Sequence, residues 1–264
     1  MKNIVWLASY PKSGNTWIRS VLSLAIYKNL DINNFRILSL NAIIKEKEPN
    51  LKIQKPGDTK FLWDEIQQKI SKEADQNRII IKTHNLCANF GKVQFPNLNF
   101  TSKLIYIVRD PRDVAISYGN HFGHTLEKAI ELIMKDNNFI FNVKDNLAEV
   151  ISSWDNHVKS WATSNISKIV IRYEDLILDP KNNLEKLFLF LKIKPLIPID
   201  KIILKTSFKS LQNMEIKKEF KEAPNRNTIF FRSGKMAEYQ KYDQNLFAPL
   251  TSKYKDIMNK FGYE

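Results

Sequence analysis

The sequence predicts an α/β fold: one domain over residues 1–264, with a mostly parallel central sheet flanked by helices. Three observations predict it. Short, nearly continuous apolar runs alternate along the chain with segments whose apolar residues recur at helical spacing. The first run opens into a tight polar loop and then a helical stripe, a phosphate-loop-like strand–loop–helix unit. A later run ends at Asp110-Pro111, a capping residue followed by the residue favoured at the first helical position.

Taken in order, Asn3 to Ser9 is a compact apolar run closed by Tyr10-Pro11, a buried strand. Ile18, Val21, Leu22 and Ala25 then fall on one face of a helix. Residues 31–60 are polar and irregular, with Pro49 and Pro56-Gly57 as breakers. Phe61 to Ile70 has helical character. Arg78 to Thr83 and Lys103 to Val108 are β-branched or aromatic runs suited to strands buried on both faces. Leu147, Val150, Ile151, Trp154, Val158 and Trp161 make a helical seam. Ile169 to Arg172 reads as a fourth strand and Leu184 to Leu191 as a helix. Residues 215–236 carry charge without a period, which predicts a mobile segment, and the last helix is predicted from Asn245 to Lys260.

Composition narrows the function classes. With 43% hydrophobic residues, sixteen Phe and five Trp, the chain can fill a large core, which excludes global disorder. The net charge of +13 suits an anionic partner. Its lysines are dispersed, however, as in Lys45, Lys47, Lys52 and Lys55, so a solvated surface outweighs a nucleic-acid stripe. Cys87 is the only cysteine, so no intrachain disulfide forms, and it reads as a small core residue. The opening apolar run is too short for a signal peptide, and no apolar stretch of about 18 residues exists, so the expected location is cytoplasmic.

Three motifs carry chemistry. Tyr10-Pro11-Lys12-Ser13-Gly14-Asn15-Thr16-Trp17 lies between strand and helix, where backbone N–H groups and the helix dipole favour a phosphate. Lys12 adds a cation and Gly14 permits close backbone approach. Lys12 precedes the glycine, unlike the lysine of the common Gly-x-x-x-x-Gly-Lys-Ser/Thr loop. Lys82-Thr83-His84 ends the second strand, at the sheet edge where such folds bind ligands, and His84 is suited to accepting a proton. In Arg109-Asp110-Pro111-Arg112-Asp113-Val114-Ala115-Ile116-Ser117-Tyr118, a guanidinium and a hydroxyl suit a second phosphate, while Arg112 and Asp113 read as a solvated first turn. Tyr173-Glu174-Asp175-Leu176 and Phe231-Arg232-Ser233-Gly234 follow in order. Glu174 and Asp175 have no evident partner.

These pieces, in this order, resemble the sulfotransferases that depend on 3'-phosphoadenosine 5'-phosphosulfate (PAPS), in their soluble cytosolic branch and bacterial relatives. The resemblance runs from residue 4 to about 240. It implies PAPS as donor co-substrate and adenosine 3',5'-bisphosphate (PAP) as product. It implies that Lys12, Ser13, Gly14, Asn15, Thr16 and Trp17 hold the 5'-phosphosulfate, and Arg109 and Ser117 the 3'-phosphate. The same resemblance implies that Tyr173, Thr206 and Phe208 meet the base and that Arg232, Ser233 and Gly234 close over the 3'-phosphate. The chain departs from the family pattern at Asn85-Leu86 (often Leu-Pro), at Ser233 (often Lys), at Ala237-Glu238-Tyr239 (often Gly-Asp-Trp) and at Asn15 (often Thr).

The expected chemistry is in-line sulfuryl transfer to a small-molecule or glycan hydroxyl or amine. His84 is the base, Lys12 and Lys82 stabilise charge on the leaving side, and no metal is required. Trp63, Phe90, Phe95, His121, Phe122 and Phe139 lie in segments that reach an acceptor pocket or the core; His124 and His157 have no assigned role. The alternatives are a P-loop-type kinase or nucleotide hydrolase, and a basic nucleic-acid-binding module.

Overall fold

The computed structural model describes residues 2–50, 56–74, 77–142, 147–223 and 229–263. In chain order the elements are β1 (Ile4–Ser9), α1 (Asn15–Tyr27), α2 (Leu40–Lys47), a 3₁₀ helix (Pro56–Leu62), α3 (Trp63–Glu73), β2 (Ile79–Thr83), β3 (Ala88–Phe90), β4 (Val93–Phe95), β5 (Thr101–Val108) and α4 (Pro111–Phe122). There follow α5 (Leu126–Ile133), β6 (Phe139–Asn142), β7 (Leu147–Val150), α6 (Trp154–Ala162), β8 (Lys168–Arg172), α7 (Tyr173–Leu178), α8 (Pro180–Leu191), α9 (Ile199–Lys205), α10 (Phe208–Lys217), two 3₁₀ turns (Glu238–Lys241 and Gln244–Phe247) and α11 (Ala248–Lys260).

The architecture is mixed α/β around a four-stranded sheet in the order β2-β1-β5-β8. Strand β1 pairs in parallel with both β2 and β5, with Leu7 opposite Lys82 on one side and Ile105 on the other. Every residue of β1 is buried, as a strand covered on both faces requires. The chain therefore leaves β1 and β2 at the same sheet edge.

Contacts cluster into two compact units. The first comprises Met1–Tyr10, Ile37–Ile107 and Leu132–Val170. Its core is aromatic: Phe95 meets Trp63 at 4.7 Å, Trp6 at 5.1 Å and Trp161 at 6.2 Å between ring centroids. Trp6 Nε1 donates to Thr101 Oγ1 at 3.1 Å, so the buried indole leaves no polar group unmet. The second unit comprises Pro11–Arg36, Val108–Glu131 and Ile171–Glu264. Ile32, Phe35, Leu211, Phe220 and Phe231 form one of its apolar clusters.

Three sequence expectations change. The stretch 31–60 is not irregular throughout. Ser39 caps α2 by accepting from Ala42 N, and Leu40, Ile43 and Ile44 form its buried face. Pro56 starts a 3₁₀ helix instead of ending structure. The seam from Leu147 to Trp161 is strand, then helix. Residues Leu147–Val150 pair antiparallel with Phe139–Asn142, Ser152 takes a left-handed φ of 59°, and the helix begins only at Trp154. The apolar spacing fits either state, and the hairpin partner decides it. Within the segment 215–236, residues up to Lys217 finish α10, and 224–228 lie outside the described residues.

Candidate active site

The loop after β1 is built by its backbone. Lys12 and Gly14 both take positive φ, 68° and 102°, and Gly14 stands at the N-cap of α1 without a side-chain cap. A helix N-terminus of this kind directs N–H groups and partial positive charge into the loop. Ser13 Oγ is buried and has no hydrogen-bond partner among the described residues. Gly14 is obligatory for a steric reason as well: a Cβ there would lie 2.6 Å from Tyr173 Cδ2.

Tyr173, the first residue of α7, is the hub of the second unit. Its ring packs on Gly14, meets Trp17 edge-on at 5.9 Å and lies 4.3 Å beneath the Arg109 guanidinium. Arg109 follows β5 directly. It donates to the Lys12 carbonyl at 3.2 Å and to the Lys235 carbonyl at 2.9 Å, and faces Asp113 at 3.6 Å. Its Nε is buried without a partner among the described residues. The Lys12 ammonium sits 3.8 Å over the Phe230 ring. Desolvation, and then the charge of Arg109, push the Lys12 pKa down to about 7; Glu215 and Glu222 oppose this and Arg232 adds to it. An ammonium held out of water in this way is stabilised by any anion brought beside it.

The late segment completes this cluster. Glu215 accepts from the backbone N–H of Phe230 at 2.6 Å and of Phe231 at 2.8 Å, fixing the approach to Arg232. Arg232 makes a bidentate pair with Glu238 at 2.8 and 2.7 Å. Gly234 has φ 63°, and a Cβ there would lie 2.1 Å from Phe208 Cδ2, so Phe208 packs directly on its backbone. Thr206 is buried at the end of α9, its hydroxyl donating to the Ile202 carbonyl at 2.8 Å. Ser117 is half-buried on α4.

Arg112 and Asp113 are not a solvated turn; both are buried. Arg112 reaches Asp110 at 2.6 Å and stacks 3.8 Å over Tyr239, while Asp113 accepts from Tyr239 N at 3.0 Å. The Asp110 side chain meanwhile caps α4 through Arg112 N at 2.9 Å. Glu174 also has partners: it accepts from Asp110 N at 3.0 Å and from Tyr263 Oη at 2.9 Å. Burial raises the Glu174 pKa, and these hydrogen bonds oppose the rise. Sequence reasoning missed this network because its partners lie up to about 150 residues apart, so the motifs that hold Asp110, Arg112, Asp113 and Glu174 do not show what each side chain meets.

In the first unit, His84 stands just beyond the end of β2. Its Nδ1 lies 2.8 Å from the Ser9 carbonyl, which can only accept, so the ring proton sits on Nδ1 and the lone pair on Nε2. Its backbone N–H donates to Glu149 at 2.8 Å, and Glu149 pairs with Lys82 at 3.4 Å. Glu149 lay unseen inside the misread helical seam. Trp63 and Phe95 belong to the core, while Phe139 is exposed. Phe90, His121 and Phe122 are half-buried, and Cys87 is partly buried with its thiol pushed up to about 11 by desolvation. Among the described residues no helix is long and apolar enough to cross a membrane.

A family model described as a sulfotransferase domain matches residues 2–260. Sulfotransferase 1E1 of Rattus norvegicus is 30% identical over 210 residues, covering 78% of this chain and 65% of its own length. Flavonol 3-sulfotransferase of Flaveria bidentis is 29% identical over 264 residues, covering 91% and 76%. Among solved structures, a mouse sulfotransferase complexed with PAP superposes with a TM-score of 0.65 at 21% identity, covering 97% of this chain and 84% of that one. A retinol dehydratase complexed with androsterone and inactive cofactor PAP gives 0.64 at 19%, covering 97% and 80%. These two likenesses establish the fold.

Proposed function

We propose that this chain, which belongs to the sulfotransferase family, transfers a sulfuryl group from PAPS to a hydroxyl or amine of a small-molecule acceptor. The observation that carries the reading is that Lys12, Arg109 and Arg232 share one compact unit, Arg109 donating to the Lys12 carbonyl, while desolvation first and the Arg109 charge second push Lys12 down to about 7. A desolvated ammonium and a buried guanidinium beside a helix N-terminus fit a polyanion.

The buried Ser13 Oγ and Arg109 Nε, both without partners among the described residues, supply further donors for such a ligand. Lys12, Ser13 and the first turn of α1 would hold the 5'-phosphosulfate, and Arg109, Ser117 and Arg232 the 3'-phosphate. The rings of Trp17, Tyr173 and Phe208 would border the base. PAPS supplies the sulfuryl group and a leaving phosphate.

Residues of this chain do the rest. Lys12, with Lys82 as a second cation, stabilises negative charge on the leaving side. His84, keeping its own proton on Nδ1, receives the acceptor proton at Nε2. The flavonol enzyme's name makes a flavonol the first acceptor to try. A cytoplasmic location accords with the reading.

Calorimetric titration with PAP in magnesium-free buffer, with ATP as comparison, tests the donor site. Micromolar PAP binding that is lost in Arg109→Ala, with ATP much weaker, supports it. Tighter, magnesium-dependent ATP binding would favour a kinase instead.

A further inference from the structure

Tyr106 and His157 are fully buried in the first unit, and no step above uses them. They form a directed hydrogen-bond chain. The backbone N–H of Tyr10, where β1 gives way to the loop, donates to Tyr106 Oη. The His84 carbonyl oxygen can only accept, so the proton of the neutral His157 ring is on Nε2, and Nδ1 accepts from the Tyr106 hydroxyl, 2.8 Å away. Nε2 lies 3.1 Å from that carbonyl oxygen. The rings of Tyr106 and His157 stack at 5.8 Å, and Tyr10 meets His157 edge-on at 5.5 Å, so the imidazole cannot turn over without unpacking. Burial pushes the His157 pKa down to about 3, which keeps the ring neutral at physiological pH and its donor permanently in place.

We propose that His157, oriented by Tyr106, is a positioning residue for His84: by holding the His84 carbonyl it seats the His84 ring against Ser9 and fixes the Nδ1–H tautomer that leaves the Nε2 lone pair for the acceptor proton. The two peptide groups that flank the His84 Cα are then both held, the carbonyl by His157 at 3.1 Å and the N–H by Glu149 at 2.8 Å. The imidazole touches neither donor nor acceptor in this scheme; it acts through the backbone of the base. The consequence for catalysis rests on the reading of His84 as that base, whereas the tautomer itself is observable without any reaction.

The test is long-range ¹H–¹⁵N spectroscopy of the full chain labelled at histidine. Wild type is expected to give an Nδ1–H signal for His84 and an Nε2–H signal for His157 that does not titrate between about pH 5 and 9. In His157→Phe the ratio of Nδ1–H to Nε2–H at His84 should fall by about fivefold or more, the ratio one net hydrogen bond commands. His157→Gln, whose side-chain amide can still donate, should restore much of it. An unchanged His84 tautomer in His157→Phe that still binds PAP overturns the proposal. Should His157→Phe fail to fold, Tyr106→Phe decides: it removes one hydroxyl, and should mix the tautomers of His157 and shift His84. A wild-type His84 signal there also overturns it. The base reading is tested separately by sulfuryl-transfer rates in His84→Ala, so either idea can fail alone.

Discussion

The ring of Tyr173 occupies the space in which a side chain on Gly14 would begin: a Cβ at residue 14 would lie 2.6 Å from Tyr173 Cδ2, on a backbone with φ 102°. Gly14→Ala therefore meets two penalties, a left-handed strain of about 1–3 kcal/mol and a displaced ring. Because Tyr173 also carries Arg109, the loss should appear in donor affinity. We expect calorimetry to find PAP binding weakened at least about tenfold. Wild-type affinity would mean that the ring moves away at no cost.

Lys12 leads to a prediction about protons. With its pKa near 7, it is largely neutral at about pH 8.5 in the ligand-free protein, and a bound polyanion returns it toward 10.5. PAP binding near that pH should take up close to one proton, and the uptake should shrink below about pH 7, where Lys12 is already charged. Calorimetry in buffers of different ionisation heat reads this directly. A binding heat that ignores the buffer counts against the assignment, as would an unaltered uptake in Lys12→Met.

His84→Ala removes the proposed base and leaves the donor cluster of the second unit untouched. Turnover of PAPS with a productive acceptor should drop by about 10²–10⁴-fold, with PAP affinity within a factor of about two. Undiminished turnover sinks the assignment.

Tyr263 supplies a buried hydroxyl to Glu174 at 2.9 Å. Tyr263→Phe strips a carboxylate of one donor, a loss of about 1–3 kcal/mol, or roughly 3–10 °C in melting temperature for a chain of this size. The lost donor stabilised the ionised form, and burial already raises the Glu174 pKa. The defect should therefore be largest near neutral pH and fade in acid, where Glu174 is protonated in both proteins. A pH-independent deficit would place the cause elsewhere.

What the sequence disclosed follows the range of the interactions. The strand–loop–helix around Gly14 and the cap at Asp110 were legible because their causes sit within a few residues. The family motifs located Lys12, Arg109, Tyr173 and Arg232, which the fold gathers in one compact unit. Leu147 to Val150 was misread because its apolar spacing suits helix and strand alike and its partner is Phe139–Asn142. Arg112 and Asp113 were misjudged as solvated because Tyr239, which covers them, lies more than a hundred residues away. His157 and Glu149 carried no local signal at all; only folding brings them to the His84 peptide.

The sheet order β2-β1-β5-β8 has a consequence during synthesis. A ribosome delivers β1 first, yet its parallel neighbours are Ile79–Thr83 and Thr101–Val108, so six residues that the fold buries, five of them apolar, wait unpaired while about a hundred more emerge. The loop at Gly14 waits longer, until Tyr173 has left the exit tunnel. A nascent chain cut short before that residue holds the motif but not the site, and β1 is then the segment that chaperones, or other nascent chains, will find.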